Sequence, residues 1–240
     1  MGAQILPAKS EAMGNAGFDN ARRVNEALTA RMEKRALQWM AERAPRWVSS
    51  DQLTVLGLSA QIGAGICFAL SRYERRFLLA MIVCLALNWL GDSLDGTLAR
   101  VRGQERPRYG FYVDHIVDVL GAVALMCGLG FSGLLHWETA MAMLIAFLVL
   151  SSESYLATYT LKCFELSQGI FGPTEIRILL AMGCLAALRN PYATVFGHKM
   201  LLFDLGGVIG TLGMAGMALA VTVRHTAQLY RMEPLGENRS

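Results

Sequence analysis

Residues 77–131 read FLLAMIVCLALNWLGDSLDGTLARVRGQERPRYGFYVDHIVDVLGAVALMCGLGF. Two apolar runs, 77–98 and 111–131, flank a short stretch that carries Arg100, Arg102, Arg106 and Arg108. Each run has about the 20 residues a helix needs to cross a bilayer. A backbone in lipid has no water to bond, so runs of this length read as helices, and the short link makes them antiparallel neighbours. Further apolar runs at 53–70, 140–159, 176–188 and 200–223 bring the expected spans to six. The fifth is short, which points to a helix that starts earlier or is broken.

Composition agrees. The 240 residues are 54% hydrophobic and only 17% charged, with a mean hydropathy of +0.37. A soluble domain carries roughly 25% charge, so this chain has too few polar residues to wet its surface. Collagen-like, disordered and disulfide-scaffold classes are excluded. The five cysteines (Cys67, Cys84, Cys127, Cys163, Cys184) stand singly with no zinc spacing and read as small hydrophobes. The expected fold class is an all-α integral membrane protein, with six transmembrane helices preceded by an amphipathic interfacial helix.

Three regions follow: an N-terminal segment 1–50, a six-helix transmembrane domain 51–223 and a polar tail 224–240. From Arg22 to Trp47, apolar Leu28, Met32, Leu37, Trp39, Met40 and Trp47 mix with seven basic residues. That pattern suits either a helix lying in the membrane interface or a solvated helix capping the domain, and Pro45 turns the chain. With both termini inside, 17 basic residues lie on the cytoplasmic side and five outside. The positive-inside rule therefore places both termini, and the acidic site described next, at the cytoplasmic face of a cell membrane. Arg72, Arg75 and Arg76 run against this count.

Asp92 and Asp95 fall within about 60° of each other on a helix, and Asp114 and Asp118 stack at i and i+4. Antiparallel neighbours would turn both pairs into one site near a membrane boundary. Such charge needs an offset: either ion pairs with the four loop arginines, or a hard divalent cation, Mg²⁺ or Mn²⁺, for which clustered oxygen ligands are suited. Gly96, Ala99 and Gly110 leave room beside the acids, and Arg100 presents a fork of donors suited to phosphate.

These residues carry a resemblance. D-x-x-D-G-x-x-A-R, nine residues, then G-x-x-x-D-x-x-x-D is met by Asp92, Asp95, Gly96, Ala99, Arg100, Gly110, Asp114 and Asp118, within 27 residues. The chain resembles the CDP-alcohol phosphotransferases, integral membrane enzymes of phospholipid synthesis, and the order of helices around the motif is similar too. The resemblance implies two Mg²⁺ or Mn²⁺ ions, with Asp92 and Asp114 bridging them, Asp95 on the first and Asp118 on the second. It implies Asp118 as general base, Gly96 and Arg100 against the CDP donor, and Ser50, Asp51 and Gln52 near the nucleotide. The last three also read as the N-terminal cap of a helix. The implied reaction is attack of an acceptor hydroxyl on the β-phosphorus of a CDP-alcohol, releasing CMP.

The acceptor pocket is expected between the fourth and fifth spans, with Tyr159, Glu175 and Arg177 as candidates beside Glu153, Tyr155 and Lys162. Glu175 and Arg177 also read as a pair at the membrane edge. Relatives that use a phosphorylated acceptor tend to carry several basic residues at the cytosolic end of the fourth span. Here Lys162 alone follows it, which favours a neutral or zwitterionic alcohol, or diacylglycerol. The donor is CDP-diacylglycerol or a CDP-linked head group.

Other signals are weaker. Gly128-x-Gly130-x-x-Gly133 matches a dinucleotide fingerprint but ends an apolar run with no strand before it. Gly206, Gly210 and Gly213 form a small-residue face, for packing in the bundle or for a homodimer. His115 reads as an interhelical hydrogen-bond partner. An ion or proton transporter explains four acids but not Gly96, Ala99, Arg100 and Gly110. An intramembrane aspartyl protease uses two acids and leaves two over. Membrane lipid is an expected partner and nucleic acid is not.

Overall fold

The computed structural model describes residues 30–161, 173–195 and 197–233. Lys162, Cys163, the first part of the amphipathic segment (22–29) and the end of the tail (234–240) lie outside the described residues. Seven helices follow in order: α1 (Ala30–Arg43), α2 (Ser50–Leu70), α3 (Phe77–Val101), α4 (Pro107–Phe131), α5 (Trp137–Leu161), α6 (Pro173–Arg189) and α7 (Leu202–Met232). Between α6 and α7 a small antiparallel hairpin pairs β1 (Tyr192–Val195) with β2 (His198–Leu201).

The protein is a helical multi-pass membrane protein. Helices α2, α3, α4, α5 and α7 are each long and apolar enough to span a bilayer. The fifth expected span is α6, whose 17 residues run from Pro173, a favoured helix start, to the Arg189-Asn-Pro191 stop. The hairpin was not foreseen. It turns at Gly197, where φ is +82°, and delays the last helix to Leu202. That helix runs on to Met232, past the expected end at 223, because residues 224–232 leave the apolar stretch without a helix breaker.

Helix α1 buries one stripe. Leu37 and Ala41 pack with Leu53, Leu94 and Leu98, flanked by Met40, Ala44, Trp89 and Leu90, the i, i+4 spacing of an amphipathic face. This apolar seam faces protein, as a capping helix would, while Trp39 and Trp47 remain exposed for the interface.

The main core joins Phe68, Leu78, Met81, Leu85, Leu125, Leu129, Leu135 and Leu144. Backbones approach closely around α2. A Cβ on Gly91 would lie 2.6 Å from the Gly57 nitrogen and the Leu53 oxygen, and one on Gly128 would run into the Gly65 carbonyl. Small residues allow such contact where lipid offers helices no hydrophobic drive to associate. The glycine run at 128–133 is thereby accounted for: Gly128 meets α2, Gly130 meets the Trp137 ring, and Gly133 turns the chain at φ +73°. On α7 it is Gly207 that packs against Thr139 and Leu135, whereas a Cβ on Gly206 or Gly213 meets nothing within 4 Å.

His136, between α4 and α5, ties that connection to the start of α7. Its backbone N–H donates to Asp204 at 2.9 Å, and its ring Nδ1 bonds the other Asp204 oxygen. The hydrogen bond and the negative charge of Asp204 raise the imidazole above its ordinary value of 6.5. A raised histidine contributes stability that is complete below the unfolded value and fades as pH rises through the folded one. Asp204→Asn should therefore lower the melting temperature in detergent more at about pH 6 than at about pH 9. Equal losses at both would contradict the charged pair.

Candidate active site

Helices α3 and α4 descend to the same end of the bundle and are joined by a short link, with α2 behind them. Thr54, Gly57 and Gln61 of α2, Asn88, Asp92 and Asp95 of α3, and Asp114, Val117 and Asp118 of α4 line one cleft. All four acids singled out in the sequence come together there.

Their partners differ. Asp95 accepts from the Thr54 hydroxyl at 2.6 Å and from the Gly96 amide at 2.5 Å, while Ser50 donates to its main-chain oxygen at 3.0 Å. Asp92 accepts from Arg177 of α6 at 2.5 Å. The same guanidinium donates through Nε to Asn88 at 2.8 Å, and Asn88 donates on to the Gly57 carbonyl and to Gln61, at 3.0 and 3.1 Å. With Asp92 turned to Arg177 and Asp95 to Thr54, no three carboxylates close on a common point among the described residues.

Two of the loop arginines are engaged elsewhere. Arg102 bonds the carbonyls of Ala44, Pro45 and Val48 in the connection between α1 and α2. Arg106 pairs with Asp51 and lies over the Tyr109 ring. Arg100 donates to Thr97 at 3.1 Å and is otherwise exposed. Arg177 pairs with Asp92 rather than with Glu175.

Other expected residues are distributed as follows. Gly96 and Gly110 are exposed, and a Cβ on either would meet nothing within 4 Å; Ala99 is half-buried. Ser49 caps α2 in a reciprocal box with Gln52. Glu175 is buried. Tyr159 is 87% exposed on α5 and takes no part in lining the cleft of the acids. Glu153 is turned to His225 of α7, at 2.5 Å. His115 bonds the Phe111 carbonyl at 2.6 Å and meets the Tyr155 ring edge-on at 4.6 Å, so its interhelical partner is a ring.

Sequence reading missed Thr54, Gln61 and Asn88. The signal was present. Asn88 stands four residues before Asp92, and Ser50, Thr54, Gly57 and Gln61 recur at helical spacing on one face of α2.

The fold is similar to that in the crystal structure of Mycobacterium tuberculosis phosphatidylinositol phosphate synthase with CDP-DAG bound. The TM-score is 0.55 at 19% identity, covering 88% of this chain and 98% of that one. No curated protein matches the chain. The family model for CDP-alcohol phosphatidyltransferase matches residues 47–223. A match over that much of the sequence, with the family's acids gathered in one cleft, shows that the chain belongs to the CDP-alcohol phosphatidyltransferase family.

Proposed function

We propose that the protein transfers a substituted phosphate from a CDP-alcohol to an alcohol acceptor, releasing CMP, in phospholipid synthesis. The observation that carries this reading is the meeting of Asp92, Asp95, Asp114 and Asp118 in one cleft. Carboxylate oxygens from two facing helices form a donor set suited to hard divalent cations. These four residues would hold two Mg²⁺ or Mn²⁺ ions, which supply charge stabilisation at the phosphoryl group and leaving oxygen.

The chain's own groups do the rest. Asp118, on the α4 wall of the cleft, takes the proton of the acceptor hydroxyl as that oxygen attacks the β-phosphorus. The bond from that phosphorus to the oxygen of CMP breaks. Arg100, exposed beside the cleft, offers two parallel donors to the diphosphate. Gly96, Ala99 and Gly110 leave the backbone open to it. Ser50, Asp51 and Gln52, at the start of α2, face the nucleotide. Arg177 and Glu175 on α6, with Tyr159 of α5, belong to the acceptor side, and the acceptor is a neutral or zwitterionic alcohol or diacylglycerol.

The catalytic domain is 51–223, between the N-terminal segment 1–50 and the tail 224–240. Both termini lie in the cytoplasm, with the cleft opening to that face of a cell membrane, and the open Gly206 and Gly213 face of α7 serves a homodimer.

Asp118→Asn should lower turnover by about 10²- to 10⁴-fold, the usual contribution of a general base, with donor binding retained; near-normal turnover would remove Asp118 from that role. Arg100→Ala should weaken donor binding at least roughly tenfold, since each charge-assisted bond is worth about 1.5 kcal/mol, and unchanged affinity would exclude the phosphate contact. Arg177 competes for an oxygen of Asp92, so Arg177→Gln should tighten Mn²⁺ binding measured by electron paramagnetic resonance. Unchanged or weaker binding would contradict that competition.

A further inference from the structure

Glu33 of α1 is a carboxylate outside the cleft with partners on both α3 and α6. A single oxygen, Oε1, accepts from Trp89 Nε1 at 2.8 Å, from the Ser93 hydroxyl at 3.2 Å and from the Thr174 hydroxyl at 3.0 Å. Trp89 and Ser93 are the residues directly after Asn88 and Asp92, on which Arg177 rests. Thr174 lies one helical turn before Arg177. Helices α3 and α6 are thus joined twice at the same level. One link is direct, through Arg177. The other runs through α1, with Glu33 bridging Trp89 and Ser93 to Thr174.

We propose that Glu33 is a positioning residue that fixes the first turn of α6 against α3 and so sets where Arg177 stands beside Asp92. The chemistry of the link supports this. An ionised carboxylate accepts only, and one oxygen receiving three donors from two helices constrains both of them. Three neutral donors, an indole and two hydroxyls, converge on that oxygen. The α1 stripe of Leu37 and Ala41 already seats this helix on α3, so Glu33 adds the connection to α6.

The proposal rests on the assignment of Arg177 to the acceptor side of a CDP-alcohol transferase, and the test separates the two. Hydrogen–deuterium exchange of the full-length protein in detergent reads the link itself. Glu33→Ala should speed exchange in the first two turns of α6 and leave α4 unchanged, with Glu33→Gln, which keeps an acceptor oxygen, restoring most of the protection. Thr174→Val cuts only the α6 arm and should act like Glu33→Ala. Unchanged α6 exchange in Glu33→Ala and Thr174→Val would overturn the proposal, whatever reaction the protein catalyses.

The kinetic arm uses the same variants in the CMP-release reaction. Glu33→Ala and Thr174→Val should raise the acceptor KM several-fold and leave the donor KM within twofold, again with recovery in Glu33→Gln. A uniform fall in turnover with both KM values unchanged would mark Glu33 as merely structural and overturn its positioning role. Absence of CMP release by the wild-type protein would sink the reaction assigned to the site, and the exchange result would then decide the role of Glu33 alone.

Discussion

An ionised carboxylate at the centre of a membrane helix costs on the order of 2.5–3.5 kcal/mol, less toward the interface, and four carboxyl groups share one cleft here. Like charges brought into one cleft also repel. The bundle meets this load with oriented partners. The Thr54 hydroxyl and the Gly96 amide serve Asp95, and Arg177 serves Asp92. Asn88 holds Arg177 in place and is itself held by the Gly57 carbonyl and Gln61. Such a network is stable because its donors and acceptors are matched; removing one member would leave a costly orphan.

The close packing of α2 follows from the same need. Thr54 and Gln61 reach the acids because the backbones of α2 and α3 touch at Gly57 and Gly91, and those of α2 and α4 at Gly65 and Gly128. Arginines are divided by task. Arg102 gathers the carbonyls at the joint of α1 and α2, Arg106 holds Asp51, and Arg100 is left at the surface where an anionic substrate can meet it. Arg177 reaches Asp92 of the acidic cleft. Its helix, at 17 residues, is shorter than each of the five long spans, and the links from Asp92, Asn88 and Glu33 tie it to α3 and α1.

The helices and the four acids were legible because both rest on local rules: the length of an apolar run and the angular spacing of side chains on a helix. Long-range pairing was not. Arg177 and Asp92 are 85 residues apart, and nothing local chooses between Glu175 and Asp92 as the partner of that arginine. Arg102 and Arg106 lie nearer the acids in sequence and still bond elsewhere, to carbonyls of the α1–α2 connection and to Asp51. The burial of the α1 stripe against protein was equally hidden, since an apolar face reads the same whether it meets lipid or a neighbouring helix. The hairpin escaped because four-residue strands carry almost no periodic signal.

Family membership, the arrangement of the helices and the cleft of four acids converge on one reaction. Its most direct test is CMP release by the purified protein in detergent, with Mg²⁺ or Mn²⁺, from CDP-diacylglycerol and from CDP-choline or CDP-ethanolamine, each against a panel of alcohols and diacylglycerol. The account predicts CMP from one donor class, dependent on acceptor and abolished by EDTA. CMP release that persists in EDTA, or no binding of any CDP-linked donor in the presence of either cation, would contradict it.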